Sequence, residues 1–144
     1  MEVGLRDGLQ NVDQYISVDD RLTIIDGLID SGITNIQVAS FVNPKIVPQM
    51  AIAEDLAKRI DRKKGVEFSG LVFNQKGVER ALSCGLKKIE TSISISEIYS
   101  QKNLAMDISE SLINLKHIVS MAKRNSMNIR TGLQCVWGYE DNEP

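Results

Sequence analysis

Arg6 and Asp7 stand side by side in Leu-Arg-Asp-Gly-Leu-Gln-Asn (5–11), directly after the first apolar residues. An aspartate is a hard oxygen ligand for Mg²⁺ or Mn²⁺. A guanidinium beside it could stabilise an enolate oxygen as charge develops there. The same Asp-Gly pair is also a turn signal with Arg6 left in water, and spacing alone leans towards the turn. Other polar side chains fall near the ends of apolar runs: Gln37 and Ser40, Asn74, Ser94 and Ser96, and Cys135. If those runs are parallel strands, the groups just beyond their carboxyl ends face one crevice, where sites of α/β proteins are built.

Elements that could carry them alternate along the chain. Residues 2–5 read as a strand stub, and 33–39, 66–73, 88–95 and 128–136 as strands. Ser-Val-Asp-Asp (17–20) resembles a capping box with Asp in place of Glu or Gln. Leu22, Ile25, Leu28 and Ile29 then share a helical face, and Gly32 supplies the stop. Pro44 and Pro48 mark a loop, followed by predicted helices over 51–60 and 75–84. In a longer helix over 108–123, Ile108, Leu112, Leu115 and Val119 are in phase. Residues 32–40 echo 85–93, each a helix stop, a short gap and a strand. Such alternation implies parallel strands joined by right-handed crossovers. It fits an open doubly wound sheet or part of a (β/α)8 barrel. No G-x-G-x-x-G follows the first strand, which removes the usual support for a dinucleotide fold.

Composition narrows the function classes. The 144 residues are 42% hydrophobic and 25% charged with a net charge of −2, the profile of a globular domain. The densest basic cluster, 58–64, is broken by Asp61 and reads as a solvated helix end, not a nucleic-acid footprint. No apolar run approaches the ~20 residues that span a bilayer, so neither nucleic acid nor membrane is expected as a partner. Cys84 and Cys135 make no disulfide framework, which suggests a reducing compartment. Cys84 reads as a small buried apolar residue, and Cys135 as packing or a redox or active-site group. His117 reads as surface or helix packing, and Trp137 and Tyr139 as cover for the core or for a neighbour.

Residues 3–11, Val-Gly-Leu-Arg-Asp-Gly-Leu-Gln-Asn, resemble the opening signature of hydroxymethylglutaryl-CoA lyases, usually EVGPRDGLQN. Residues 40–50, SFVNPKIVPQM, resemble that family's SFVxPKxVPQM segment. Gln101-Lys102-Asn103 echoes its KKN stretch, and Ile129-Arg130 through Cys135 its fifth-strand pattern. The resemblance implies a metal-dependent TIM-barrel superfamily that includes isopropylmalate and citramalate synthases. It favours an α/β partial (β/α)8 barrel of about five parallel strands with outer helices. Residues 1–144 would be the N-terminal part of a single pyruvate-carboxyltransferase-like barrel domain, truncated after the fifth strand.

The implied reaction is retro-Claisen cleavage of 3-hydroxy-3-methylglutaryl-CoA to acetyl-CoA and acetoacetate, a step of leucine catabolism. By resemblance, Arg6 would be the electrophile for the thioester oxygen and Asp7 a ligand of Mg²⁺ or Mn²⁺. Gln10 and Ser40 would contact substrate, and Lys102 and Asn103 would lie towards the CoA. Gln37, Arg130 and Cys135 are further candidates with open roles.

The expected setting is a homo-oligomer acting on an acyl-CoA in the cytoplasm, or in the mitochondrial matrix of a eukaryote. Three departures qualify this. Gln37 stands where the family usually has Glu, Leu5 stands where it has Pro, and the family's paired histidines, asparagine ligand and cysteine loop would lie beyond Pro144. The expectation is therefore a fragment without appreciable turnover of its own. The alternatives are a related acyl-CoA lyase or synthase and a non-catalytic half-barrel that dimerises or binds.

Overall fold

The computed structural model describes residues 1–60 and 65–139; the end of the basic cluster, 61–64, lies outside the described residues. Helix α1 (Val18–Asp30) starts where expected. Ser17 accepts a hydrogen bond from the Asp20 amide at 3.1 Å and donates its hydroxyl to the Asp20 carboxylate at 2.6 Å. Asp19 and Asp20 in the first turn also suit the positive end of the helix dipole.

Strand β1 (Asn35–Ser40) leads through a proline loop to α2 (Ala53–Arg59), and β2 (Glu67–Leu71) leads to α3 (Gln75–Ser83). Strand β3 (Lys88–Ser94) is followed by two helices, α4 (Glu97–Leu104) and α5 (Ile108–Arg124), before β4 (Asn128–Gln134). The sequence pattern did not foresee α4. Its apolar residues lack a helical stripe, and it is held by end chemistry, with Ser96 capping the Tyr99 amide at 3.0 Å. Among the described residues, no helix is long and apolar enough to cross a membrane.

Three helices hand over to strands by the same turn. After α1, the Gly32 amide bonds to the Ile29 carbonyl and Ile33 to Leu28; after α3, Gly85 bonds to Leu82 and Leu86 to Ala81. The glycines take φ of +85° and +78°, the left-handed region where a Cβ is penalised. This is the physical content of the echo between 32–40 and 85–93. After α5, Ser126 bonds to Lys123 and Met127 to Ala122, with Ser126 at φ +54°. A serine therefore does a glycine's task at the third handover.

The four strands are parallel and ordered β1-β2-β3-β4, the sequential order of a barrel wall. A doubly wound sheet would reverse its order near the first strand. The expected first strand over 2–5 shrinks to one bridge, with the Glu2 amide on the Asn35 carbonyl at 2.8 Å and the Gln37 amide on the Glu2 carbonyl at 2.9 Å. The chain then winds into a wide turn over Gly4–Gly8, where Arg6 and Asp7 both donate their amides to the Val3 carbonyl. Local bonds satisfy the backbone there, so no ladder continues. The sheet thus has four strands and a bridge in place of about five strands.

The core lies between the sheet and the outer helices. Ile36, Val38, Phe68 and Ile89 from the strands pack with Leu56, Val78, Ala81, Ile118 and Ala122 from the helices. Cys84 belongs to it, as its size suggested. Gly70 is required on this face, because a Cβ there would sit 2.4 Å from the Phe41 ring. On α5 the buried stripe is Ser111, Ile118 and Ala122, and Leu112 is 44% exposed. The in-phase set read from the sequence is rotated away from the true contact face. Trp137 is 97% exposed and covers no core, while Tyr139 meets the Tyr99 ring edge-on at 5.0 Å between centroids.

Candidate active site

Residues on one face of a regular strand are separated by an even number, so Gln37 and Ser40 would point to opposite sides of an ideal β1. Here they do not. The register runs Gln37 opposite Ser69, then Ala39 opposite Gly70 and Ser40 opposite Leu71, with the irregularity between Gln37 and Ala39. One extra residue in β1 restores the phase, and both Gln37 and Ser40 line the same cleft.

That cleft, about 760 Å³, opens at the carboxyl ends of the strands. Arg6, Asp7, Gln10, Gln37, Ser40, Asn103 and Arg130 all line it. The Arg6 guanidinium is fixed from two sides. Its Nε donates to Gln37 Oε1 at 2.5 Å, and its Nη1 to Asp7 Oδ1 at 2.5 Å. The amide at position 37 therefore keeps the hydrogen bond while withholding the charge that a glutamate would bring. The Asp7 side chain is 58% exposed, so it stands at the mouth of the cleft and less deeply inside than the sequence reading placed it. The Asn11 amide closes the turn behind it, donating to the Asp7 carbonyl at 2.7 Å.

Not every sequence candidate converges. Lys102 and Cys135 are absent from the cleft lining. The Lys102 ammonium lies 5.2 Å from the centroid of the Tyr139 ring. Cys135 follows β4 in the left-handed region at φ +58°, and its carbonyl accepts the Gly138 amide at 3.1 Å. Ser94 and Ser96 bond to one another at the top of β3. Asn74 lines the cleft but also caps α3 through the Gly77 amide at 2.8 Å. His117 is exposed on α5, away from the cleft, as its helix position suggested.

Sequence reasoning missed Glu90, a cleft-lining carboxylate only 6% exposed. Its Oε1 accepts the Ser69 hydroxyl at 2.7 Å, and its Oε2 lies 3.7 Å from Arg130 Nη1. The available signal was a carboxylate at an inner position of a predicted strand, since buried carboxylates require partners.

The metal implied by the resemblance meets a poor donor set. Among the described residues, no three His, Cys, Asp or Glu side chains are grouped to hold an ion. Asp7 is already engaged by Arg6, and one carboxylate supplies at most two of the roughly six oxygens that Mg²⁺ takes. The described residues do not by themselves make a divalent-metal site.

Comparison with known proteins agrees with the strand order. Residues 1–143 match the HMGL-like family. Hydroxymethylglutaryl-CoA lyase YngG of Bacillus subtilis is 41% identical over 145 residues, covering 99% of this chain and 48% of the relative. The crystal structure of the HMG-CoA lyase of Bacillus subtilis superposes with a TM-score of 0.93 at 40% identity, over 99% of this chain and 48% of that one. An HMG-CoA lyase from Acinetobacter baumannii, solved in complex with coenzyme A and 3-methylmalate, superposes with a TM-score of 0.84 at 27% identity, over 92% of this chain and 43% of that one. The chain spans about half the length of the relatives it matches.

Proposed function

The chain belongs to the HMGL-like family, and on that footing we propose that residues 1–144 form the N-terminal part of one lyase barrel domain and carry its acyl-CoA cleft. The substrate class is a 3-hydroxyacyl-CoA, with 3-hydroxy-3-methylglutaryl-CoA as its first member. The observation that carries this reading is the Arg6 guanidinium, held between Gln37 and Asp7 and lining the cleft.

In a retro-Claisen cleavage the hydroxyl proton leaves and the carbon–carbon bond breaks. Its electron pair then moves onto the thioester to give an enolate, which is finally protonated. Guanidinium donors that Gln37 and Asp7 leave unused can face the thioester oxygen, where that negative charge grows. Because the group is already fixed, little reorganisation is needed as charge develops. Gln10 and Ser40 border the same space and are assigned to substrate contact, with Asn103 on the side of the CoA. Asp7 is assigned as one ligand of a divalent metal. A bound divalent ion would supply Lewis-acid polarisation of substrate oxygens. Cys84 and Cys135, not joined in a disulfide, suit a reducing setting, cytoplasmic or, in a eukaryote, the mitochondrial matrix.

The test is calorimetric titration of the purified chain with hydroxymethylglutaryl-CoA, alongside acetyl-CoA release in Mg²⁺ or Mn²⁺. The expected result is saturable binding that Arg6→Gln weakens about 10- to 100-fold, the range for a lost charge-assisted hydrogen bond. Turnover by these residues alone is expected to be negligible. Absence of binding at millimolar ligand, or an Arg6→Gln affinity equal to wild type, would overturn the reading.

A further inference from the structure

Arg21 is 1% exposed in the first turn of α1, where an apolar side chain would satisfy the packing. A cation taken out of water is costly unless its hydrogen bonds achieve something specific. Burial holds its guanidinium pKa below the ordinary value, with the Tyr15 hydroxyl acting in the other direction. Its side-chain donors go to main-chain carbonyls: Nε to Ile16 at 3.3 Å, Nη1 to Leu5 at 3.1 Å and Nη2 to Gln49 at 3.1 Å.

Two of those carbonyls, of Leu5 and Gln49, adjoin segments that line the cleft without lining it themselves. Leu5 immediately precedes Arg6, so the bond to its carbonyl fixes the peptide plane from which Arg6 departs. Gln49 closes the proline loop, whose residues Asn43, Ile46 and Val47 also line the cleft. Gln49 then reaches back, donating its side-chain amide to the Val12 carbonyl at 3.2 Å. The irregular segment that carries Arg6, Asp7 and Gln10 is thus tied at one end by Arg21 and at the other by Gln49, and Arg21 binds Gln49 itself. The guanidinium suits this task because its planar fork can reach several carbonyls at once.

We propose that Arg21, together with Gln49, is the positioning device that sets Arg6 against Gln37 and joins the two cleft-lining segments into one unit. Neither residue lines the cleft, so both act through Arg6 and Asp7. The proposal concerns the geometry of Arg6; only its affinity readout rests on the acyl-CoA reading above.

The test uses the ¹⁵N-labelled chain and follows the Arg6 Nε–Hε NMR signal, assigned by its loss in Arg6→Lys, together with calorimetric affinity for hydroxymethylglutaryl-CoA. Arg21→Met is expected to move the Arg6 signal to the position of a water-exposed arginine and to weaken binding about tenfold. Arg21→Lys keeps the charge without the fork and is expected to stay at the level of the methionine variant. Gln49→Met removes only the Val12 tie and is expected to weaken binding about threefold while remaining folded. Val78→Ala, a core change on α3, serves as a destabilised control and should move neither readout below its melting temperature. An unmoved Arg6 signal in both Arg21→Met and Gln49→Met would overturn the proposal, as would equal losses in Val78→Ala. If the wild-type chain binds no hydroxymethylglutaryl-CoA, the acyl-CoA reading fails while the Arg6 signal still decides this one.

Discussion

On β3, Ile89 is sealed in the apolar core beneath the helices, while its neighbour Glu90 lines the cleft with Ser69 and Arg130 beside it. On β1, Ile36 and Val38 enter the core, while Gln37 and Ser40 line the cleft. The helix face fills its volume mainly with apolar side chains, and Arg21 and Ser111 are buried exceptions there. The cleft face mixes apolar side chains such as Phe41, Leu71 and Phe73 with polar groups, several of which hold one another. What the difference teaches is a division of labour: the helix side supplies the stability, and that stability allows the other side to carry charges that cost something to bury.

The sharpest way to break this comparison is to damage the helix side and ask whether the cleft notices. Ile89→Ala is expected to cost about 2–5 kcal/mol of stability, measured by urea unfolding, because it removes a fully buried side chain and leaves a cavity. Ligand affinity below the melting temperature should barely change; a matching loss of affinity would mean that the two faces are not separable.

A smaller effect comes from the rim where the faces meet. Arg80 on α3 pairs with Glu54 on α2 and donates to the carbonyl of Val42, a cleft-lining residue. The hydrogen bond from Arg80 holds the Glu54 carboxyl below its ordinary value of 4.5. Between the lowered value and the ordinary one, the native state binds fewer protons than the unfolded chain, so stability rises with pH. The contribution is complete above about pH 4.5 and is lost as pH falls through the lowered value. For a partly exposed pair it amounts to about 0.5–1 kcal/mol. Stability measured from pH 6 to pH 3 should show a shallower decline in Glu54→Gln than in wild type.

Ser126→Gly sharpens the comparison on the helix side alone. It is expected to raise stability by about 0.5–1 kcal/mol, because a glycine at φ +54° escapes the penalty that serine bears there. A fall in the thermal midpoint would show that the turn after α5 is not equivalent to those at Gly32 and Gly85.

The smallest change belongs to the cleft. Glu90→Gln keeps the shape and an acceptor for Ser69, and its partner Arg130 has a side chain 58% exposed. Stability should move by less than about 0.5 kcal/mol. Affinity for an anionic acyl-CoA should rise about two- to fivefold once Arg130 no longer faces a carboxylate. A large loss of stability would place Glu90 with the core in energetic terms.

Legibility in the sequence followed the same division. Helix-side residues repeat at the period of their element, so the four strands and most helices could be read from spacing. Cleft residues obey no period, and those that were found came from local motifs, as with Arg6 and Asp7. Glu90 sits in a strand that reads correctly as a strand, and among its Lys, Thr and Ser neighbours a carboxylate is only a weak mark of a cleft residue. The phase of Gln37 and Ser40 depends on one extra residue, which an alternating pattern cannot show. Lys102 is adjacent to Asn103 in sequence, yet a helix turns consecutive side chains about 100° apart, and only Asn103 lines the cleft. The strand expected at 2–5 failed because the turn over Gly4–Gly8 closes its own backbone bonds.

The strand order β1-β2-β3-β4 also has a consequence in time. Each strand docks on the one made just before it, so no strand waits for a distant partner. At about 5–20 residues per second on a ribosome, a unit of some thirty residues takes on the order of seconds to emerge. Helices and local loops close within microseconds. Each strand and its crossover helix can therefore settle against a surface already in place before the next unit leaves the tunnel. The Arg6 segment and its Arg21 tie, both encoded ahead of β1, are available for the rest of the cleft to be built against.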